Sequence, residues 1–220
     1  MRGKAVVILS GGLDSTVLLY SMIRDGNEPI AITFNYGQKH SREIECAKRT
    51  CQELGVPHRI FDLTGLAEVF GGSSLTSSNL DVPEGHYQAE NMKSTVVPNR
   101  NSIMLNLAMG FAIANDIQIV AYGAHAGDHE IYPDTRPEFV AAIQNLAKLV
   151  DYKPIDIQVP FLHWTKAEIV EYGSNLNVSF DYTSSCYNGR EKACGKCGTC
   201  TERLEAFKLA GVKDTVEYEN

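Results

Sequence analysis

The stretch from Lys4 to Thr16, K-A-V-V-I-L-S-G-G-L-D-S-T, constrains this chain more than any other. Its apolar run over residues 5–9 has strand character. Ser10-Gly11-Gly12 breaks that run, and Asp14-Ser15-Thr16 opens an apolar stretch of helical period. Two adjacent glycines let a backbone pass close to an anion with its N–H groups turned inward. Ser10 and Ser15 add hydroxyl donors, and the helix that follows aims its positive end at the same point. The pattern predicts a phosphate cradle at the carboxyl end of a strand, where open α/β sheets take their ligands. The lysine of the Walker loop is missing, and so is the G-x-G-x-x-G dinucleotide fingerprint. A plain strand–turn–helix junction capped by Asp14 or Ser15 is the competing reading; the complete S-G-G-x-D-S favours the cradle.

Strand-like runs alternate with helical patterns along the rest of the chain. Strands are expected over residues 5–9, 29–35, 58–62, 117–122 and 155–159, with helices over about 15–25, 40–54, 102–115, 137–149 and 199–210. A further helix starts at Thr165, with Glu168 placed three residues on to complete a capping box. Such alternation builds βαβ units and a doubly wound parallel sheet, a Rossmann-like α/β fold. Residues 64–96 are rich in Gly, Ser, Thr, Asn and Pro without a clear period, the mark of a functional loop. Nothing repeats and no linker separates two cores, so residues 1–220 read as one domain.

Charge narrows the partners. Twenty Lys and Arg stand against 27 Asp and Glu, a net charge of −7, and no basic run offers a phosphate-neutralising footprint. A small-molecule substrate is expected over a nucleic acid. No segment reaches the roughly 18 apolar residues of a membrane span, and residues 1–10 lack a signal-peptide pattern. The expected location is the cytoplasm, and the expected state a homodimer.

Six cysteines in a reducing compartment do not make a disulfide framework. Cys186, Cys194, Cys197 and Cys200 stand in C-x7-C-x2-C-x2-C spacing, with Gly195 and Gly198 inside the knuckles. Four thiolates so close suit a closed, structural tetrahedral zinc site over about residues 184–202. An iron–sulfur cluster is the competing reading.

The S-G-G-L-D-S loop resembles the PP-loop of the N-type ATP pyrophosphatases, which activate an oxygen by adenylation and release pyrophosphate. That resemblance implies ATP contacts across Leu9, Ser10, Gly11, Gly12, Leu13, Asp14, Ser15, Thr16 and Val17, with Asp14 associated with magnesium. It also favours zinc over a cluster, because adenylation involves no redox step. Over nearly its whole length the chain resembles the 7-cyano-7-deazaguanine synthases of the queuosine pathway. The stations are Y-G-Q-K-H at 36–40, V-P-N-R-N at 97–101, Gly123 to Asp128, Y-P-D-T-R-P-E-F at 132–139, W-T-K-A-E-I at 164–169 and Ser185-Cys186-Tyr187. Thr135, where cysteine is common, and Ile131, where glycine is common, depart from the pattern.

The resemblance implies an enzyme that joins ammonia to 7-carboxy-7-deazaguanine and carries the amide on to the nitrile, consuming two molecules of ATP. Its catalytic set is expected to be Asp14, Arg100, Lys166 and Asp128, with Arg100 and Lys166 as cations for phosphate or substrate carboxylate. Tyr36, Gln38, His40, Tyr132, Asp134 and Arg136 are the expected substrate contacts. Asp128 and Asp134 suit guanine-type N–H groups or magnesium, Tyr132 offers a stacking ring, and Gln38 and His40 suit the adenine or the ammonia entry. No glutaminase domain is visible, so ammonia arrives free or from a partner. The rival classes are a tRNA-modifying PP-loop enzyme and a non-enzymatic ATP-binding regulator. The first calls for a basic surface; the second leaves the cysteine knuckle and the stations from 36 to 139 unexplained.

Overall fold

The first strand sets the layering, because its side chains alternate between two hydrophobic cores. Val6 enters one core, while Ala5, Val7 and Leu9 enter the other, and all four are fully buried. Such a strand, apolar on both faces, belongs at the centre of a parallel sheet covered on both sides. The computed structural model, which describes residues 3–86 and 90–219, places it there. Strands β1 (Lys4–Ile8), β2 (Glu28–Asn35), β3 (His58–Asp62), β4 (Ile119–Ala121) and β5 (Asp156–Gln158) run in the order β3-β2-β1-β4-β5. Every pairing is parallel, with Val7 set against Ala31 on one side and Ala121 on the other.

Helices α3 (Arg100–Ala114) and α4 (Pro137–Ala147) cover the Val6 face. Helices α1 (Leu13–Arg24), α2 (Arg42–Leu54), α5 (Lys166–Asn175) and α6 (Gly198–Ala210) cover the Val7 face. Each fully buried Leu or Val in these layers contributes about 1.5–3 kcal/mol. The expected doubly wound sheet is present, and its strand order reverses between β1 and β4. The chain leaves β1 toward β2 and β3, then crosses back to β4. Loops after β1 and β4 therefore part in opposite directions and open a crevice between them.

Boundaries shift where packing overrides local pattern. The last two strands shorten to three residues each. Helix α2 begins at Arg42, not at residue 40, and α3 begins at Arg100, not at residue 102. The long segment 64–96, of which 87–89 lie outside the described residues, is pinned to the body at several points. Phe70, Leu75 and Met92 are fully buried, and Gly85 N–H donates to the Lys196 carbonyl at 3.0 Å. Behind α6, Arg203 is nearly fully buried and holds Asp214 through two 2.9 Å bonds, with a third to Thr183 at 2.8 Å. A further backbone bond runs from Ser184 N–H to the Gly11 carbonyl at 3.0 Å, tying the segment before the cysteines to the glycine turn after β1.

Candidate active site

The turn after β1 closes on its own hydroxyls. Gly12 N–H donates to Ser10 Oγ at 3.1 Å, Ser10 N–H donates to Ser15 Oγ at 3.2 Å, and Ser15 Oγ donates to the Gly12 carbonyl at 3.2 Å. The two hydroxyls lie 3.0 Å apart. With the Ser15 proton committed to Gly12, Ser10 is the donor between them. Gly11 sits at φ +90°, and any Cβ there would collide with the Glu43 backbone carbonyl of α2. Only glycine lets the turn lie flat under that helix. Gly12 is the N-cap of α1, and neither Asp14 nor Ser15 occupies the cap. Asp14 instead falls in the first turn, where the helix end favours its charge.

Asp14 is the centre of a buried charge cluster drawn from four segments. Lys166, the first residue of α5, donates to Asp14 Oδ2 at 2.8 Å and lies 3.2 Å from Glu202 of α6. The Thr165–Glu168 capping box fixes that start: Glu168 N–H donates to Thr165 Oγ1 at 3.3 Å and Thr165 N–H to Glu168 Oε2 at 2.7 Å. His125 follows β4 and is fully buried, its Nδ1 accepting from Gly127 N–H at 3.0 Å. A neutral imidazole has one lone pair, so Nε2 carries the hydrogen and faces Asp128 at 3.5 Å and Asp14 at 3.8 Å. Lys166 Nζ stands 3.1 Å from the same Nε2; with both atoms bearing hydrogens, shared carboxylates hold them together.

Burial works against every charge here. It raises the Asp14 carboxyl, but the Lys166 ammonium outweighs it and holds Asp14 below the usual carboxylate range. It lowers the Lys166 ammonium, and Asp14, Glu202 and Asp128 reverse that, so Lys166 stays firmly protonated. Glu202 is pushed up by burial despite Lys166. Asp14 Oδ1 is buried without a hydrogen-bond partner among the described residues. A carboxylate oxygen left over in such a place fits a hard cation such as magnesium.

A cavity opens from this cluster along the β1–β4 crevice. Leu9, Ser10, Gly12, Leu13, Asp14 and Ser15 of the expected ATP segment line it, as do Arg100, Asp128 and Lys166. Gly11, Thr16 and Val17 do not reach the wall: Gly11 lies under α2, and Thr16 and Val17 turn into the core. Tyr36, Gln38, His40 and Tyr132 are on the wall. Arg100 Nη1 donates to the Tyr36 hydroxyl at 3.3 Å, and burial with that contact fixes the guanidinium at the start of α3. Both ends of the Gln38 amide serve the backbone, accepting from Tyr36 N–H at 2.9 Å and donating to the Phe34 carbonyl at 3.2 Å. Burial drives His40 down to about 3, so it is neutral.

Asp134 and Arg136, two of the expected substrate contacts, stand off the cavity wall. Asp134 Oδ2 accepts from Asn101 N–H at 3.0 Å and so finishes the amino end of α3, and Arg136 donates to the His129 carbonyl at 2.7 Å. Their station organises the helix that carries Arg100. Glu43, His125, Glu202 and Tyr187 were not among the expected site residues. Glu43 and Tyr187 line the cavity, and His125 and Glu202 close the charge cluster.

The four clustered cysteines have sulfurs within 4.8 Å of one another, all buried and none in a disulfide. A tetrahedron of thiolates around zinc, with bonds of about 2.3 Å, has edges near 3.8 Å; Cys194 and Cys200 lie 3.9 Å apart. The donor set fits a four-thiolate metal. Gly195 turns the knuckle at φ +70°, and the N–H groups that point at Cys194 Sγ come from Lys196 at 3.5 Å and Cys197 at 3.3 Å. Cys197 caps α6, which brings Cys200 onto its first turn and Glu202 toward Lys166.

Comparison with known proteins gives this arrangement relatives. The chain is 51% identical over 217 residues to a 7-cyano-7-deazaguanine synthase of Hahella chejuensis, covering 99% of this chain and 94% of that one. It is 53% identical over 216 residues to one of Methanoregula boonei, covering 98% and 99%. Solved structures share the fold at low identity. An NMN synthetase from Francisella tularensis matches with a TM-score of 0.54 at 14% identity, over 96% of this chain and 78% of that chain. A 4-thiouridine synthetase, in a complex with RNA and bound ATP, matches with a TM-score of 0.53 at 19% identity, over 95% and 52%. Residues 4–211 match the model of the family described as queuosine biosynthesis protein QueC. With its loop, charge cluster and cysteine knuckle inside that span, the chain belongs to the QueC family.

Proposed function

We propose that this chain is a 7-cyano-7-deazaguanine synthase, an ATP-dependent carbon–nitrogen ligase of queuosine biosynthesis. It converts 7-carboxy-7-deazaguanine and ammonia to the nitrile by way of the amide, releasing AMP and pyrophosphate at each of two activations. The observation that carries the reading is the cavity at the strand-order reversal, where the Ser10–Ser15 turn meets the half-buried cations Lys166 and Arg100. A carboxylate is a poor electrophile, and adenylation gives it AMP as leaving group. No side chain has to act as nucleophile. The chain's work is to hold two substrates in line and to neutralise phosphate charge in a partly dry site.

The Ser10–Ser15 turn and the amino end of α1 suit the pyrophosphate portion of ATP. Lys166 suits the phosphates or the departing pyrophosphate, and Arg100 the substrate carboxylate. Asp14 would hold magnesium through its unpartnered Oδ1, and the ion would supply charge neutralisation at the phosphates. Tyr36, Tyr132 and Asp128 on the wall suit the base. Cys186, Cys194, Cys197 and Cys200 would hold one structural zinc and so fix α6 against α5. Residues 1–220 are read as one working unit, with the zinc subregion at about 184–202. The net charge of −7 favours a free base over a polynucleotide. No helix among the described residues is long and apolar enough to cross a membrane, and a cytoplasmic enzyme is the reading adopted. Exposed Leu146, Leu149, Val150 and Tyr152 at the end of α4 support a homodimer.

The test is pyrophosphate release from magnesium–ATP with 7-carboxy-7-deazaguanine plus ammonium, set beside bulk tRNA. AMP and not ADP should accompany it, and mass spectrometry should show the amide before the nitrile. Release driven by tRNA alone would move the chain to the tRNA-modifying class.

A further inference from the structure

Glu43 has no part in the phosphate, metal or base contacts described above, yet it stands on the cavity wall in the first turn of α2. Its carboxylate is 13% exposed and 3.6 Å from His40 Nε2, too far for a hydrogen bond. Three oxygens of the cavity wall gather around Gly12. Ser10 Oγ, the Ser184 carbonyl and Glu43 Oε1 lie 3.2, 3.5 and 3.6 Å from the point where a Cβ would stand. Because residue 12 is glycine, no side chain comes between these oxygens and the cavity. A set of acceptors including an unsatisfied carboxylate suits a small ligand made only of N–H donors.

We infer that Glu43 receives the ammonium ion at the edge of the phosphate loop and takes its proton, delivering ammonia to the activated carboxylate. The inference rests on the ammonia-consuming reaction proposed above. The charged groups facing Glu43 are Arg100 from α3, Asp14 from α1 and Lys166 from α5, with neutral His40 beside it. Burial dominates among these influences and pushes the carboxyl up to about 8. An ordinary carboxylate is too weak a base to compete for an ammonium proton, and one that titrates near neutrality is suited to the task.

The step balances as follows. Ammonium passes one proton to the Glu43 carboxylate, giving ammonia and the carboxylic acid. The nitrogen lone pair forms the new C–N bond, the C–O bond to AMP breaks with its electron pair leaving on AMP, and the second surplus proton passes to solvent. Glu43 then returns its proton to water through the open cavity. The later conversion of amide to nitrile begins from a nitrogen already in place, and its protons are acidic enough to leave without a strong base.

The experiment uses the intact enzyme with Glu43→Gln and Glu43→Asp. Amide formation is measured by mass spectrometry against ammonium concentration from pH 7 to 9.5. Nitrile formation is measured separately, from the amide and magnesium–ATP without ammonium. For Glu43→Gln, amide formation at pH 7 should fall at least 100-fold. That deficit should shrink at least ten-fold by pH 9.5, where free ammonia accumulates, and the amide-to-nitrile reaction should fall at least ten-fold less than amide formation. Glu43→Asp, which keeps the acid one methylene short, should raise the KM for ammonium while retaining part of the rate. Equal losses in both half-reactions with no recovery at high pH would make Glu43 a phosphate, metal or structural residue and overturn the inference, as would an unchanged ammonium KM in Glu43→Asp. If the wild-type enzyme itself makes no amide from ammonium, it is the functional reading that fails.

Discussion

The phosphate loop and the cysteine knuckle are both glycine-bearing turns that end in the first turn of a helix, and they stand for opposite reasons. The loop rests on β1, the central strand of the sheet, and its hydroxyls and N–H groups satisfy one another. It is built before any ligand arrives. The knuckle packs on the chain's last segment through Arg203 and Asp214, and its four buried thiols converge within 4.8 Å of one another. On the reading proposed above, its order would come from the metal it binds. The contrast has a use, because the cysteine-bearing segment supplies the outer wall of the site. Ser184, Ser185, Tyr187 and Thr199 line the cavity, and Glu202 reaches Lys166. The phosphate loop sits on the sheet, and a metal in the knuckle would clamp the wall against it.

The largest expected effect breaks the knuckle. Cys197→Ser, or removal of zinc by a strong chelator, should destabilise the carboxyl-terminal segment by several kcal/mol, since metal binding in such sites is folding free energy. Amide hydrogen exchange should rise across residues 184–219 while β1 to β3 stay protected. Activity lost on chelation should return on adding zinc back. If activity falls and the segment stays protected, the metal is doing chemistry and the contrast drawn above is wrong.

Asp14→Ala probes the other side. Turnover should fall at least 1,000-fold, about 4 kcal/mol of transition-state stabilisation, while the melting temperature moves by only a few degrees. Lys166 keeps Glu202 as a partner, so the variant does not strand a buried cation. The Asp14 carboxyl is held below its unfolded value, so its ionised pairing stabilises the fold above about pH 4 and is lost as pH falls through the lower folded value. The wild type should accordingly lose more stability than Asp14→Ala between pH 5 and pH 2. Parallel melting curves across that range would refute the pairing.

Both turns were legible in the sequence because each is written in contiguous residues, S-G-G-L-D-S and C-x7-C-x2-C-x2-C. The sheet was legible for the same reason, since period and turn signals are local, and the capping box at Thr165 formed as its spacing implied. Convergence was not legible. Glu43, His125 and Glu202 belong to three segments that meet only when the sheet reverses its order, and no pattern around them marks that meeting. Asp134 and Arg136 show the reverse. They stand beside Tyr132 in sequence, but a 3-10 turn over Pro133–Thr135 carries them to the amino end of α3 and to the His129 carbonyl, off the cavity wall.

A middle-sized effect separates function from stability at Glu43. Its folded carboxyl is half protonated near pH 8 and still partly ionised at pH 7, whereas an unfolded one is half protonated near 4.5. The folded state is therefore penalised increasingly as pH rises from about 4.5 to 8. Glu43→Gln should make the ligand-free protein more stable at pH 8, by about 1–3 kcal/mol after allowance for relaxation and water entry. Near pH 5, where both side chains are neutral, the two proteins should melt together. A glutamine variant no more stable at pH 8 would show that the carboxylate is already well accommodated. The phosphate-loop wall would then carry no stored destabilisation to set against the knuckle.

The smallest effect lies where the two regions join. Lys166 opens α5, and Thr165 and Glu168 cap that opening reciprocally. Thr165→Ala removes the hydroxyl that accepts from Glu168 N–H and should cost about 1 kcal/mol of stability. The Glu168 carboxyl is held below its usual range by bonds from the Thr165 backbone and hydroxyl. That contribution is present above its unfolded value and lost as pH falls through the folded one, so the gap between variant and wild type should narrow in acid. Turnover should drop no more than about three-fold, because Asp14 and Glu202 grip Lys166 from the loop and from the metal-held helix, whichever way α5 frays. A much larger loss with a small change in melting temperature would mean that the cap, and not the two carboxylates, aims the lysine. The loop and the knuckle would then be coupled through the start of α5 and not through the ion pairs that bridge them.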